Sequence, residues 1–264
     1  MTELQILVLA LVQGITEFLP ISSSGHLILV PAVTGWPDQG LAMDVAVHVG
    51  TLGAVIVYFW KDLYDLARGL PKIITDRSAP SVRLIAYLAV ATLPVMVAGL
   101  AIVKYMDSLR TVEVIGWTTL VFGILLFAAD KLADVTRRVD NMLFRDAVII
   151  GLAQILALVP GTSRSGITMT AARVLGFSRT EAARFSMLLS IPVIVAAGGL
   201  LGIKLYQADT IALSHEILLA TAFSFLSALL AIWGLMAWLN RASFTILAAY
   251  RVVLGCGLLY WAYS

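Results

Sequence analysis

Six stretches of this chain, approximately residues 42–60, 84–104, 113–130, 184–206, 215–238 and 244–262, stay apolar for the length that a bilayer core demands of a helix. Nothing else in the sequence restricts the fold as strongly. A chain with six such runs folds in lipid, where every backbone group must be paired internally, so the spans are helices. Composition agrees: 60% of the residues are hydrophobic and 13% charged, against about 45–50% and about 25% in a soluble domain. The net charge of +2 is too small to draw nucleic acid. The lone cysteine, Cys256, forms no internal disulfide and reads as a buried, inert thiol. Three histidines and one cysteine do not make a conventional zinc site. Met1-Thr2-Glu3 lacks the basic start of a cleavable signal peptide, so insertion is expected to rely on the internal segments.

Two further apolar regions are broken. Residues 3–34 are interrupted by Pro20, Ser22-Ser23-Ser24 and Gly25, and residues 146–176 by Pro160, Gly161, Ser163, Ser165 and Gly166. Each reads as two short helices joined by a polar turn, a form allowed at membrane depth only where protein or a wet cavity covers it. The two regions match at an offset of 141 residues: Gln13 falls on Gln154, Ser22 on Ser163, Ser24 on Ser165 and Gly25 on Gly166. Three spans follow each hairpin. Three is odd, so the second unit lies upside down relative to the first. The expectation is an all-α polytopic membrane protein with an inverted-topology repeat in one membrane domain, 1–264. Its halves, about 1–130 and 142–264, each hold a re-entrant hairpin and three transmembrane helices. Charge orients it. Lys61, Arg68, Lys72, Arg77, Arg83, Lys131, Arg137, Arg138, Arg145, Arg173, Arg179, Arg184 and Arg241 fall on one side, and the opposite loops 35–41, 105–112 and 207–214 carry only Arg110. The basic side is cytoplasmic, and both termini lie outside.

Charged groups inside membrane segments are expensive and point to function. Gln13 and Glu17, four apart, share a helix face. Pro20 ends that helix, and serine caps the next near Ser22 or Ser23, with His26 in its first turn. Free N–H groups at such a helix start attract anions. Residues 160–166, Pro-Gly-Thr-Ser-Arg-Ser-Gly, offer a second helix start and Arg164, whose planar fork suits phosphate oxygens. Ser22, Ser24, Gly25, Ser163, Ser165 and Gly166 are the candidate phosphate contacts. Glu17 and Arg164 also read as a structural salt bridge, one that a substrate would open. Asp44 and His48, four apart in the first span, read as supporting or substrate-facing groups, and Gln154 as the packing counterpart of Gln13. Arg251 reads as a snorkelling or paired cation, and Ala196–Gly202 as close helix packing. Paired anion sites on broken helices also suit a transporter; the nucleophile beside a base, Ser with Glu17 and His26, favours an enzyme.

Residues 13–26 and 160–166, with the repeat and the apolar segments, resemble the bacterial undecaprenyl-diphosphate phosphatases of the bacitracin-resistance type across nearly the whole chain. The resemblance implies hydrolysis of undecaprenyl diphosphate in the bacterial inner membrane, recycling the lipid carrier for cell-wall synthesis, with the site open to the outer face. It places the nucleophile on Ser23, the functional histidine on His26 and the essential arginine on Arg164, and leaves His26 as a rival nucleophile. It implies a divalent cation, Mg²⁺ or Ca²⁺, near Glu17. The family motif, Glu or Gln four residues before Glu, has its amide form here in Gln13, which weakens two-point metal binding by that helix. The expected partners are the polyprenyl diphosphate and the bilayer. A homodimer is compatible with the sequence.

Overall fold

The computed structural model describes residues 1–102, 107–132, 137–207 and 215–264. Residue 104, where the second span was expected to end, lies outside them, with part of the 105–112 loop and nearly all of 207–214. Among the described residues the architecture is helical, with one isolated bridge, Arg137 to Phe177, and no named strand. Six helices are long and apolar enough to cross a membrane: α3 (Gly40–Tyr58), α6 (Pro80–Ile102), α7 (Val112–Leu132), the Arg179–Ile203 part of α10 (Arg179–Gln207), α11 (His215–Leu239) and α12 (Thr245–Tyr263). They fall on the six runs read from the sequence.

The broken regions form α1 (Glu3–Thr16) with α2 (Ser23–Thr34), and α8 (Phe144–Gln154) with α9 (Arg164–Val174). α1, the longest of the four, has 14 residues, about 21 Å at 1.5 Å per residue, so none of them alone traverses a core about 30 Å thick. α1 opens with a capping box, Thr2 accepting from Gln5 N and the Gln5 side chain accepting from Thr2 N. The segment 60–83 is not an open loop: it carries α4 (Trp60–Gly69) and the single turn α5 (Lys72–Thr75). α4 exposes Trp60 and Tyr64, with Lys61 over Trp60 and Arg68 over Tyr64, a mixed aromatic and basic face of the kind that suits a lipid–water boundary.

Small residues decide which helices touch. A methyl added to Gly14 would lie 1.9 Å from Ser227 Oγ, and one added to Gly50 would lie 2.4 Å from the Thr221 carbonyl, so α1 and α3 both press their backbones onto α11. Gly151 approaches Ala91 in the same way, joining α8 to α6. α12 packs along α7. The Ala196–Gly202 stretch was expected to do likewise and does not: methyls on Gly198, Gly199 or Gly202 would meet nothing within 4 Å. These glycines keep space open. Cys256 is also exposed rather than buried, because a thiol is tolerated on a lipid-facing surface.

Buried ion pairs lock the ends of the spans on the basic side. Asp130, on α7, accepts from Arg173 at 3.2 Å, from Arg179 at 2.7 Å and from the Phe244 amide at 3.1 Å. One carboxylate thus holds α9, α10 and the start of α12. Removing it would deprive the buried cation of Arg173 of this carboxylate, a loss of about 3–5 kcal/mol. Arg137 and Asp146 pair at 2.6 Å beside it.

Candidate active site between two helix starts

Among the described residues, Ser22 (φ 77°) and Ser163 (φ 72°) are the non-glycine residues with positive φ. Each such residue costs about 1–3 kcal/mol, and such strain clusters at functional sites. The two serines do the same job. Ser22 Oγ caps α2 by accepting from Gly25 N at 3.3 Å, and Ser163 Oγ caps α9 by accepting from Gly166 N at 3.0 Å. Glycine would relieve the strain but could not cap, which explains serine at both positions. The two turns touch. Ser165 Oγ donates to the Leu19 carbonyl at 2.8 Å, and a methyl on Gly25 would approach Gly161 Cα to 3.5 Å.

Glu17 lies where the turns meet. Its Oε1 accepts from Arg164 Nη2 at 2.7 Å, and its Oε2 accepts from Ser23 Oγ at 2.6 Å and from Gln13 Nε2 at 2.9 Å. Arg164 spans to the Ser186 carbonyl at 3.1 Å with its other terminal nitrogen, and its guanidinium lies 6.0 Å from the Phe18 ring. The residues borrowed from two distant segments therefore form one charged, hydrogen-bonded chain: Arg164, Glu17, Ser23. It faces a cavity of about 300 Å³. The polar wall carries Glu17, Ser22, Ser23, Ser24, Asp44, His48, Ser163 and Arg164, and the apolar wall comes from α6 and α10, including Val95, Ile194, Ala197 and Gly198. A polar end with an apolar flank suits an amphiphile with an anionic head.

Not every candidate faces that cavity. His26 turns toward α12. Its Nδ1 lies 2.7 Å from the Ser22 carbonyl, which can only accept, so Nδ1 carries the proton; its Nε2 lies 2.6 Å from Tyr250 OH and accepts from it. The ring also stacks on Tyr250. His48 is the imidazole on the cavity: Nδ1 donates to the Asp44 carbonyl at 2.7 Å, and Nε2 points to Glu17 Oε2 at 3.9 Å. Asp44 is held by Gln39 at 2.9 Å. Ser165, Gly25 and Gly166 join the turns rather than line the cavity. Gln154 reaches away to the Ala91 carbonyl at 3.1 Å, a packing contact.

Three groups outside the expected site residues shape this site. Ser186 fixes Arg164, Tyr250 fixes His26, and Arg251 bonds to both turns. Only Arg251 carried a signal, as a cation inside an apolar span; it was expected to snorkel or pair, but it is wholly buried and, among the described residues, has carbonyls rather than a carboxylate as partners.

Among the described residues no group of three or more His, Cys, Asp or Glu side chains is placed to hold a metal. The donor set suits a hard cation held partly by substrate: the carboxylates of Glu17 and Asp44 border the cavity. Mg²⁺ is commonly bound through one or two carboxylates plus phosphate oxygens.

Known proteins resemble this chain over its full length. Residues 6–257 match the bacitracin resistance protein BacA family. The chain is 50% identical to the undecaprenyl-diphosphatase of Ruegeria pomeroyi, with both chains covered in full. It is 49% identical to that of Jannaschia sp., again over the whole of both chains, and 51% identical to that of Hahella chejuensis over 100% of this chain and 99% of the relative. Matched over almost its entire length and paired end to end with such relatives, the chain belongs to the bacitracin resistance protein BacA family.

Proposed function

We propose that this protein hydrolyses undecaprenyl diphosphate to undecaprenyl phosphate and inorganic phosphate, returning the lipid carrier to cell-wall synthesis and thereby conferring bacitracin resistance. Family membership and full-length relatives named undecaprenyl-diphosphatase support the substrate. The observation that carries the chemistry is the hydroxyl of Ser23 donating to Glu17 at 2.6 Å while Arg164 holds the same carboxylate.

In the mechanism, the diphosphate enters the cavity and takes Arg164 from Glu17. The guanidinium and the first-turn N–H groups of α2 and α9 then hold the terminal phosphate, stabilising the charge on its oxygens as the transition state forms. Freed of Arg164, Glu17 is a stronger base toward Ser23. Ser23 Oγ attacks the terminal phosphorus, its proton passes to Glu17, and the bridging P–O bond breaks to release undecaprenyl phosphate. Glu17 gives that proton up to the departing undecaprenyl phosphate and is a base again; water then attacks the phosphoserine, its proton passing to Glu17 and from there to Ser23 Oγ as the P–O bond breaks, which releases inorganic phosphate and restores Ser23. Glu17 and Asp44 would hold a divalent cation, which supplies neutralisation of the phosphate charge when bound. With Ser23 on the carboxylate and His26 on Tyr250, the geometry favours serine over histidine as the nucleophile.

We also infer that the chain is an inverted repeat of 1–130 and 142–264 with re-entrant hairpins at 3–34 and 146–176. Its support is that α1 packs on α11 as α8 packs on α6, and that the two caps share one backbone conformation. Lys and Arg crowd the side that this arrangement makes cytoplasmic. The cavity, bordered by Asp44 near the opposite end of α3, then opens to the outer face of the inner membrane.

Purified protein in detergent tests the activity directly. Phosphate release from undecaprenyl diphosphate, followed with Mg²⁺ and with EDTA, is expected in wild type and lost in Arg164→Ala. No release by monodisperse wild type would refute the reading and favour anion or lipid transport.

A further inference from the structure

Arg251 is wholly buried about a third of the way along α12. Among the described residues it has no carboxylate at ion-pair distance. Five carbonyls surround its guanidinium instead. Nη1 donates to Pro20 O at 3.0 Å. Nη2 donates to Gly161 O at 3.0 Å, Thr162 O at 2.9 Å and Thr118 O at 3.4 Å, and Nε to Thr119 O at 3.2 Å. Pro20 precedes the cap of α2; Gly161 and Thr162 precede the cap of α9; Thr118 and Thr119 belong to α7. The guanidinium also fits against Gly166, where an added methyl would lie 2.7 Å from Nη1.

A buried cation with no counter-charge among the described residues is an expensive way to tie helices together, and an apolar side chain would pack there more stably. What a guanidinium does, and an apolar group cannot, is decide which way peptide groups point. The C=O and N–H of a trans peptide face opposite ways. With Thr162 O held by Arg251, the Ser163 N–H points to the far side of the turn, where α9 begins. The carbonyls that would repel a phosphate are gathered behind the turns, and a net positive charge is left there with them. Arg251 itself does not line the cavity.

We propose that Arg251 is a positioning residue for the reaction. It sets the two turns in register, so that the starts of α2 and α9 face a single phosphate group, and its unneutralised charge raises the affinity of the cavity for that anion. The proposal rests on the phosphatase reading for its kinetic consequence and on anion binding for a consequence independent of turnover.

The test compares wild type with Arg251→Lys and Arg251→Met in detergent, each checked for monodispersity and helical content. Two quantities are read: steady-state hydrolysis of undecaprenyl diphosphate, and binding of inorganic pyrophosphate in EDTA by calorimetry. Arg251→Lys keeps the charge but not the fork. Its pyrophosphate affinity should stay within about threefold while kcat falls about 10²-fold, the scale of losing a preorganised group at a phosphoryl site, with KM little changed because the lipid tail still binds. Arg251→Met should lose about tenfold or more in pyrophosphate affinity as well. A solely structural role predicts lower stability with unchanged kcat per folded molecule, and that result would overturn the proposal.

If both variants fail to fold, Gly123→Ala supplies the perturbation from a distance. Its added methyl would lie 2.7 Å from Arg251 Cβ and displace the side chain without removing it. A kcat reduced about tenfold or more supports positioning; a kcat within about threefold of wild type refutes it. Absence of hydrolysis in wild type would sink the phosphatase reading alone, since the pyrophosphate comparison would still decide for or against Arg251.

Discussion

Replacing Glu17 by Gln separates the two duties assigned to that carboxylate. The amide is nearly isosteric and retains an acceptor for Arg164, now 2.7 Å away, but it offers no base to Ser23, now 2.6 Å away. Losing a positioned base lowers turnover by about 10²–10⁴-fold. Anion binding should move the other way. Charge centres about 4 Å apart attract by roughly 4 kcal/mol at an effective dielectric of about 20, and an incoming diphosphate must win Arg164 against that attraction. Solvent in the cavity and hydrogen bonds kept by the amide reduce the gain, so an increase in affinity of up to about tenfold, or about 1.4 kcal/mol, is the expected size. The assay is calorimetric titration of wild type and Glu17→Gln with inorganic pyrophosphate in EDTA, which removes any cation shared between Glu17 and the ligand. Hydrolysis of undecaprenyl diphosphate is measured on the same preparations. Weaker pyrophosphate binding in Glu17→Gln, or turnover within about threefold of wild type, would refute the reasoning.

Rapid quenching of wild type with labelled undecaprenyl diphosphate should trap an acid-stable phosphoenzyme that is absent in Ser23→Ala; an acid-labile label would point to His26 instead. Gly14→Ala drives a methyl to within 1.9 Å of Ser227 Oγ and should destabilise by about 1–3 kcal/mol, whereas Gly198→Ala, with nothing within 4 Å, should leave the melting temperature unchanged in the same thermal assay. His26→Ala and Tyr250→Phe remove two ends of one 2.6 Å hydrogen bond, so their combined effect on kcat should fall short of the sum by about 0.5–3 kcal/mol, and additivity would show that they act separately.

The span positions were legible because lipid imposes a length and an apolarity that few other structures share. The helix starts at Ser23 and Arg164 were legible because proline and glycine break a helix and serine caps one, rules that act within four or five residues. The direction of His26 was not. Its position in the first turn of α2 follows from the cap, but which neighbour that turn faces depends on α12, more than two hundred residues later. His48 reached the cavity for the same kind of reason: α3 is held against α11 at Gly50, and that contact sets the rotation of the helix. The glycines of α10 were misread because one composition serves two purposes. Small residues permit close approach where a partner exists and leave a void where none does.

Arg251 stands near the end of the chain, and the helix that α1 presses against, α11, begins only at His215. A ribosome adds about 5–20 residues per second, so the nascent first hairpin must wait through the synthesis of most of the protein before its partner emerges. Glu17 and Ser23 are synthesised well before Arg164, and longer still before the residue that bonds to carbonyls of both turns. The site is therefore completed only when α12 packs against α7. A chain cut short before residue 251 would carry Glu17, Ser23 and Arg164 without the side chain that bonds to both turns.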